Sequence, residues 1–334
     1  MTLNQVKSDF LNLLNKLENN EKELFSDWVL SVLKKDVKYV SEFLEPNNEI
    51  SNEDILDSIA SRLRDMVPVD ATLTSENVIF QETGPDSDCK PNTTIHVDAF
   101  LYDDEFMEYM IEEGTIQPHY CVDCLSSNIQ RKNFISHSLS TLQQRYIFNF
   151  LLPQFTSFEN KIILDLGSRM GAVMYGANIY SNGKSKVIGI EMNKDWCKIQ
   201  KEIINNEKDL LKKNNDGIVD INVVEGNILD YANILNSADI ITMNNVFSFF
   251  NDKEEQKKLW KFVFQNFKSG ALLVHNPKLD DEYFDHLSMD FNIYDVIEPL
   301  NYKSVLKKFS AGDKNIKADC NEIRIYKIKT SLPK

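Results

Sequence analysis

The run KIILDLGSRMGAVMYGA holds the residues of this chain that are best placed to bind a small ligand. An apolar stretch typical of a buried strand ends at Asp165 and Gly167, and a turn through Ser168 to Gly171 opens a helix. Glycine lets a backbone approach a ligand closely, and the first N–H groups of a helix have no partner within it. Ligands of open parallel sheets bind beyond the carboxyl ends of the strands. This turn is therefore the predicted ligand site.

Polar side chains follow the next three predicted strands at the same edge. KVIGIEM ends near Glu191, 20 residues after Gly171, where a carboxylate can accept hydrogen bonds from both hydroxyls of a ribose. DINVVEGN ends at Asn227, and ADIITMNNV ends at Asn244 and Asn245. Because parallel strands bring their carboxyl ends to one edge, we expect these groups to line one site.

The glycine spacing argues against a dinucleotide cofactor. A dinucleotide site needs the pattern G-x-G-x-x-G, which lets a pyrophosphate pass. Counted from Gly167, Arg169 and Ala172 replace the second and third glycines, and the arginine would obstruct the phosphates. S-adenosylmethionine carries no phosphate, so its amino-acid end makes a lighter demand on the loop.

The turn is similar to the D-x-G-x-G-x-G pattern of class I S-adenosylmethionine-dependent methyltransferases, from which Arg169 departs. The resemblance to this superfamily covers residues 140–330 and rests on four elements in order. It implies that Asp165 orders the loop and the methionine amino group, that Glu191 holds the ribose and that Asn227 holds the adenine. The predicted cofactor contacts are Asp165, Gly167, Ser168, Gly171, Glu191, Met192, Asn227, Ile228 and Asn244.

The predicted catalytic residues are Asn244 and Asn245, which would shape the opening to the methyl acceptor. Methyl transfer is an in-line displacement with a neutral leaving group, so alignment supplies most of the acceleration and no acid–base set is required. The alternative is a catalytically silent methyltransferase fold that serves as a binding or scaffold protein. Arg169 is the feature in its favour, because it either points into solvent or fills the cofactor loop.

The motifs DLGSRMG, IGIEMN and ITMNNVFSFF are similar to histone lysine methyltransferases of the disruptor-of-telomeric-silencing type. Residues 119–180 also resemble a group of uncharacterised methyltransferase-like proteins. Neither resemblance identifies the acceptor. The chain lacks the Asp/Asn-Pro-Pro-Tyr and Pro-Cys signatures of enzymes that methylate nucleic-acid bases, which favours a protein or a small molecule as acceptor over DNA bases.

Strands and helices alternate after residue 140 and must position these groups. The alternation predicts an α/β fold with a doubly wound, mostly parallel sheet of seven strands, preceded by a mainly helical N-terminal unit. Helical patterns cover 171–183, 194–214 and 252–268. The last two strands, YDVIEPLNY and NEIRIYKIK, have no long helix between them, which predicts an antiparallel pair at one edge of the sheet.

Three regions are predicted along the chain: an acidic unit over 1–115, a linker over 116–140 and the methyltransferase domain over 141–334. The acidic unit is expected to contain helices over 3–44, a helix capped by Ser51 that runs to about Met66, and an acidic helix over 103–114. Between the last two of these helices, residues 68–95 are predicted to form loops with one or two strands. The candidate strands are VIF and TIHVDAFLY, the second of which extends past residue 95.

Charge separates the N-terminal part from the rest. Residues 1–140 contain 11 basic and 26 acidic residues, a net charge of −15, whereas residues 141–334 have a net charge of +1. An acidic surface repels phosphate, so strong nucleic-acid binding is not expected, and it attracts a basic protein or an amine. The acidic unit is predicted to select such an acceptor or to act only as a solubilising cap. With no apolar run of membrane length and no signal peptide, the expected location is the cytoplasm, with the nucleus as an alternative.

Two further features precede the sheet. Cys121 and Cys124 form a single C-x-x-C pair, and because structural zinc needs four ligands, no metal site is predicted. The alternatives are a zinc site completed by a residue elsewhere, a degenerate knuckle or two ordinary cysteines. In FISHSLSTLQQRYIF, Ser140 is predicted to cap a helix, and His137 is either a part of the cofactor cover or a structural residue.

Overall fold

The computed structural model describes residues 51–333 apart from 83, 85–86, 92, 122–128, 132, 213–218 and 286. The chain divides at residue 50, and the part that follows forms one compact unit. The helices predicted over 3–44 lie outside the described residues. Residues 51–115 belong to the same compact unit as the sheet, and the predicted domain boundary near residue 115 stays a prediction.

The first described helix, α1 (Asn52–Arg64), begins as its sequence predicts. The Ser51 hydroxyl accepts a hydrogen bond from the Asp54 amide, and the Asp54 carboxylate accepts one from the Ser51 amide. This reciprocal pair satisfies two N–H groups that a helix start would otherwise leave free. The apolar face of α1, including Leu56 and Ile59, is buried in the core.

Short elements connect α1 to the main sheet. They are β1 (Thr94–His96), α2 (Asp104–Glu112), β2 (His119–Cys121), β3 (Ile129–Arg131) and β4 (Asn133–Ile135). β1 pairs in parallel with β4, and β2 pairs antiparallel with β3. The predicted acidic helix is confirmed as α2. The predicted strand VIF at 78–80 is wrong, because that stretch joins no strand and its Ile79 amide donates to the Phe249 carbonyl, 2.7 Å away.

The helix before the sheet begins at Ser140, as predicted. The Ser140 hydroxyl accepts from the Gln143 amide, and the Gln143 side chain accepts from the Ser140 amide, which starts α3 (Thr141–Arg145). The helix continues as a π-helical stretch, Tyr146–Leu151, and ends in a 3-10 turn, Leu152–Gln154.

The seven predicted strands form one mixed sheet. They are β5 (Ile162–Leu166), β6 (Lys186–Glu191), β7 (Ile221–Glu225), β8 (Ile240–Asn244), β9 (Leu272–Asn276), β10 (Ile297–Pro299) and β11 (Arg324–Ile328). Their order across the sheet is β10-β11-β9-β8-β5-β6-β7, and the five strands from β9 to β7 are parallel to one another. This arrangement confirms the predicted α/β fold with a doubly wound, mostly parallel sheet of seven strands.

Helices cover both faces of the sheet. They are α4 (Ala172–Tyr180), α5 (Lys194–Asn206), α6 (Lys208–Leu211), α7 (Ala232–Ser237), α8 (Lys253–Asn266), α9 (Asp281–Asp285) and α10 (Ile293–Val296). One apolar cluster lies on the side of α1, α3, α4 and α5, and a second lies on the side of α8 and α9. In the part of the chain that the structure describes, no helix is both long enough and apolar enough to cross a lipid bilayer.

The edge formed by the last two strands differs in detail from its prediction. β11 is antiparallel to both β9 and β10, as expected. However, two short helices, α11 (Lys303–Ser310) and α12 (Lys314–Cys320), lie between β10 and β11, where no long helix was predicted. The sequences of both helices are mostly basic and polar, and their apolar side is narrow, so the pattern does not stand out. Leu306 and Cys320 lie on that side and are buried.

The order of the strands fixes where a ligand can bind. The chain passes from β5 to β6, which lies next to β5 on one side, whereas β8 lies next to β5 on the other side. In doubly wound sheets the crevice forms at this reversal, beyond the carboxyl ends of the strands. Asp165 near the end of β5 and Asn244 at the end of β8 stand there.

Candidate functional site

The loop after β5 has a backbone that glycine favours at three positions. Gly167, Arg169 and Gly171 have φ angles of 69°, 45° and 88°. A Cβ atom on Gly167 would lie 1.9 Å from Cγ2 of Val246, so only glycine lets the loop after β8 pack against this point. Gly171 occupies the N-cap position of α4. Arg169 therefore adopts the left-handed conformation that the family pattern assigns to its middle glycine.

Glu191, at the end of β6, supports this loop. One carboxylate oxygen accepts from the Arg169 amide at 2.8 Å, and the other accepts from the Asn193 amide at 2.7 Å. Burial raises the pKa of Glu191, and these two backbone hydrogen bonds oppose that rise. Each oxygen keeps a further lone pair, so the carboxylate can accept additional donors such as ribose hydroxyls.

Asp165 is a buried carboxyl group at the centre of the sheet edge. Its Oδ1 accepts from the Thr242 hydroxyl at 2.9 Å. Burial raises the pKa of Asp165 to about 7, although the Thr242 hydrogen bond lowers it, and the charge of Glu191 raises it further. A carboxyl group in this state gains from a cation placed beside it, because the cation stabilises the ionised form.

The Arg169 side chain is neither in solvent nor free in the loop. Its Nε lies 3.0 Å from Glu76 Oε1, and its Nη1 lies 3.3 Å from Asp98 Oδ2. Its Nη2 donates to the Ala71 carbonyl, and the guanidinium lies 4.9 Å from the centre of the Trp196 ring. All three charged side chains are almost completely buried. Arg169 therefore ties the loop to the residues that precede β1 and follow it.

Residues 71–81, called the covering segment below, run along the carboxyl edge of the sheet. Ser75 shares a hydrogen bond with Asn193 after β6, at 3.1 Å from its Nδ2. Gln81 donates to the Ser248 and Asn251 carbonyls in the loop after β8. The covering segment thus extends from the end of β6, past Arg169, to the end of β8.

The space beside Glu191 has the chemistry that an adenosine needs. Met192 is 69% exposed although it is a large apolar residue, and Ile228 is half-buried. Asn227 uses its side-chain oxygen to accept from the Leu229 amide, which leaves its NH2 group as a donor. A carboxylate for the ribose, apolar surfaces for the base and an amide near the base fit the expected S-adenosylmethionine.

The predicted acceptor residues lie at the end of β8, and each has its own hydrogen-bond partners. Asn244 Nδ2 donates to the His137 carbonyl at 3.0 Å, and Asn276 Nδ2 donates to Asn244 Oδ1 at 2.9 Å. Asn245 has a φ of 46°, and its Oδ1 accepts from the Tyr283 hydroxyl at 3.3 Å. These contacts fix the two side chains but test none of the roles predicted for them.

The other predicted groups have identifiable surroundings. Ser168 is buried and its hydroxyl donates to Gln200 Oε1 at 3.1 Å, so this side chain binds α5, and only its backbone faces the loop. Cys124 lies outside the described residues. Over the residues that the structure describes, no group of three or more histidine, cysteine or acidic side chains is arranged to hold a metal ion.

Sequence reasoning missed the residues that reach the site from before the sheet. Glu76 and Asp98 belong to no motif, and the sequence offered His96 only as one of several residues, with Cys89, His119 and His137, that could complete a zinc site with Cys121 and Cys124. The only signal in their favour is the excess of acidic residues over 1–140. That excess does not distinguish a solvated carboxylate from one that pairs with a buried arginine.

Comparison with known proteins supports the assignment of the sheet domain. A family model described as a methyltransferase domain matches residues 157–320. No curated protein sequence matches the chain.

Several solved structures are similar in part. Precorrin-6y C5,15-methyltransferase from Geobacter metallireducens is 14% identical, with 47% of this chain and 73% of that one covered and a TM-score of 0.33. Cofactor-bound Rv0187 from MTB is 11% identical, with 58% and 83% covered and a TM-score of 0.33. PKMT2 from Rickettsia typhi, in complex with AdoHcy, is 20% identical, with 40% and 24% covered and a TM-score of 0.30. Nothing about the substrate of this chain follows from these similarities.

The matched residues span the strands β5 to β10 and the loop that joins Asp165, Gly167 and Gly171. The sheet order and the sequence pattern agree with this match. Nothing in it distinguishes the disruptor-of-telomeric-silencing type from other members. Residues 157–320 of this chain match the methyltransferase domain family.

Proposed function

We propose that this protein transfers a methyl group from S-adenosylmethionine to an amine or to a basic protein. The observation that carries the proposal is the carboxyl edge of the sheet, where Glu191, Met192, Ile228 and Asp165 present matching chemistry to the parts of one cofactor. When bound, the cofactor supplies the activated methyl group. The residues of the chain bind and align it, and alignment is the main demand of this reaction.

Each part of the cofactor has a proposed partner. Glu191 holds the ribose hydroxyls, Met192 and Ile228 enclose the adenine, and Asn227 donates to a ring nitrogen. Asp165 attracts the ammonium group of the methionine part. Asn244 borders the side from which the acceptor approaches.

The acceptor class follows from charge. Residues 1–140 carry a net charge of −15, and the covering segment belongs to this part of the chain. An acidic surface raises the local concentration of cations and speeds their encounter at low salt. We therefore propose a cationic acceptor and no strong binding of nucleic acid.

A catalytically silent binding protein is the alternative, and Arg169 was the feature in its favour. In the structure its guanidinium is bound by Glu76, Asp98 and the Ala71 carbonyl. This pairing gives the arginine a structural role in the loop.

The first test is ligand choice. We expect isothermal titration calorimetry to show that the protein binds S-adenosylhomocysteine and does not bind NAD, because Arg169 stands where a pyrophosphate would pass. Tight binding of NAD with no response to S-adenosylhomocysteine would contradict the proposal. Binding followed by transfer of a labelled methyl group separates an enzyme from a silent binding protein.

A second test uses the acidity of Asp165. Its pKa of about 7 means that the free protein holds a proton there in part of the population at neutral pH. The ammonium group of the cofactor favours the ionised carboxylate, so binding should release this proton. We expect the affinity for S-adenosylhomocysteine to rise from pH 5.5 to pH 7, by up to about tenfold per pH unit.

The control for this test is Asp165→Asn, which has nearly the same shape and no proton to release. Calorimetry in two buffers of different ionisation enthalpy measures the released proton directly. If the wild type and Asp165→Asn show the same pH dependence between pH 5.5 and pH 7, Asp165 is not beside the ammonium group.

A further inference from the structure

His96 and His137 form a hydrogen-bonded pair above the carboxyl edge of the sheet. His96 ends β1, and His137 follows β4, which is the parallel partner of β1. The Nδ1 atom of His96 lies 2.9 Å from the Nε2 atom of His137, and the ring centres are 5.1 Å apart. Ser136 stiffens this arrangement, because its hydroxyl accepts from the Ala99 amide at 2.8 Å and donates to the Ser138 carbonyl.

The pair is uncharged at neutral pH. Burial lowers the pKa of His96, and the charge of Arg169 lowers it further, whereas Asp70 and Glu76 oppose this effect. Burial also lowers the pKa of His137 well below its usual range, with added contributions from Arg169 and His96.

A neutral pair of this kind has a fixed hydrogen-bonding capacity. Each neutral imidazole has one N–H and one lone pair, and the shared hydrogen bond uses one of each. One lone pair and one N–H therefore remain, whichever ring donates. Within the part of the chain that the structure describes, neither remaining ring nitrogen has a hydrogen-bond partner. His96 is half-buried, so a ligand can reach its ring, and His137 is the more deeply buried of the two.

The position of the pair is beside the proposed acceptor opening. Asn244 Nδ2 at the end of β8 donates to the His137 carbonyl at 3.0 Å. The rings of Phe249 and Phe250, in the loop after β8, lie 5.1 Å and 5.2 Å from the His137 ring. Aromatic walls beside a free imidazole lone pair limit the access of water to it.

We propose that the His96–His137 pair accepts the proton of the methyl acceptor, which is therefore an N–H or O–H group. This inference rests on the proposed function. The lone pair of the acceptor nitrogen or oxygen forms a bond to the methyl carbon, the bond from that carbon to sulfur breaks, and its electrons stay on sulfur as a neutral thioether. The acceptor loses its proton to the free ring nitrogen of the pair. One positive charge leaves the sulfonium and one appears on the imidazole pair, so the charge of the site is unchanged.

An amine acceptor gives this step a clear purpose. An ammonium group has no lone pair with which to attack, and a free amine becomes positively charged when it is methylated. A neutral imidazole near the opening removes the proton in either case. The charged groups that act on the pair are Arg169, Asp70 and Glu76. Burial, with a smaller contribution from Arg169, keeps the pair neutral and so keeps its lone pair available.

The test uses two probes that need no knowledge of the natural acceptor. Both are analogues of S-adenosylhomocysteine in which nitrogen replaces sulfur; one carries an aminopropyl arm and the other a butyl arm of equal length. At pH 7.5 we expect the amine-armed probe to bind about tenfold or more tightly than the butyl-armed probe, because its terminal amine bonds to the pair. Calorimetry measures both dissociation constants.

Three variants show whether the pair causes the difference. His96→Phe and His137→Phe keep a ring in place and remove both nitrogens, and each should abolish the tenfold advantage. His96 is half-buried, so His96→Phe decides the question if His137→Phe does not fold. His119→Phe replaces an exposed histidine of β2 and should leave the advantage intact.

Acid should have the same effect as the substitutions. Protonation removes the free lone pair, and because burial lowers the pKa of both rings below the usual 6.5, the advantage should still be present at pH 6.5 and be lost only in more acidic solution. If S-adenosylhomocysteine and the butyl-armed probe bind but the amine arm adds nothing, or if its advantage survives both substitutions, the inference is wrong and the proposed function stands. If none of the three ligands binds, the proposed function itself is wrong, and this inference with it.

Discussion

Arg169→Ala should destabilise the protein by about 3–5 kcal/mol, because removing one member of a buried ion pair leaves uncompensated charge. In this protein two carboxylates, Glu76 and Asp98, would be left in the core beside the glycine loop. Burial already raises the pKa of Asp98 even with Arg169 present, which shows how little solvent reaches it. Chemical denaturation followed by circular dichroism gives the change in the free energy of unfolding.

Two controls separate this effect from the loss of any arginine. Arg145 pairs with Glu53 at 3.5 Å with both side chains well exposed, so Arg145→Ala should cost less than about 1 kcal/mol. The triple variant Arg169→Met, Glu76→Gln, Asp98→Asn removes all three charges and should recover much of the lost stability. If Arg169→Ala lowers the free energy of unfolding as little as Arg145→Ala does, the buried ion pairs of Arg169 do not stabilise the protein.

Glu191→Ala should weaken the binding of S-adenosylhomocysteine by about 1.5–3 kcal/mol, which corresponds to about 10- to 150-fold in the dissociation constant. The carboxylate is proposed to accept both ribose hydroxyls, and hydrogen bonds to a charged group are the stronger kind. The structure adds a second effect. The Arg169 and Asn193 amides lose their acceptor, so we also expect a loss of stability of about 1–3 kcal/mol.

Glu191→Gln separates these two effects. The glutamine side chain keeps one carbonyl oxygen that still accepts a hydrogen bond, whereas its NH2 group cannot accept one. The matched control is Glu225→Ala, which removes an exposed glutamate at the same register position of the neighbouring strand. Calorimetry and denaturation are measured on all three variants. A folded Glu191→Ala protein with an unchanged dissociation constant would show that Glu191 only supports the loop.

Much of the sheet domain could be predicted because its signals are local. Each of the strands β5 to β9 is a short apolar run that ends at a glycine or a polar residue, and periodicity identifies such runs. The capped helix starts at Ser51 and Ser140 are also local, since the cap and its partner are three residues apart.

The covering segment could not be predicted, because its structure depends on distant partners. The stretch VIF has the composition of a strand, yet the Ile79 amide bonds to Phe249, and Gln81 bonds to Ser248 and Asn251. Glu76 is 93 residues from Arg169 in the sequence, and Asp98 is 71 residues away. No sequence spacing identifies such a contact.

The role of Arg169 could not be predicted either, because its partners are distant in the sequence. The sequence identifies it as a departure from the glycine pattern and leaves two interpretations, solvent or cofactor loop. The structure supports a third interpretation, in which the buried Arg169 side chain pairs with Glu76 before β1 and with Asp98 after it. This outcome depends on Glu76 in the covering segment and on Asp98 after β1, which pair with the Arg169 side chain.

A crystal structure of the protein with S-adenosylhomocysteine bound tests the central claim most directly. The account predicts the ribose hydroxyls on the Glu191 carboxylate, the adenine between Met192 and Ile228, the amino group beside Asp165 and the sulfur facing Asn244. The Arg169 side chain should remain on Glu76 and Asp98. A ligand bound away from Glu191, or an adenine that does not lie between Met192 and Ile228, would contradict it.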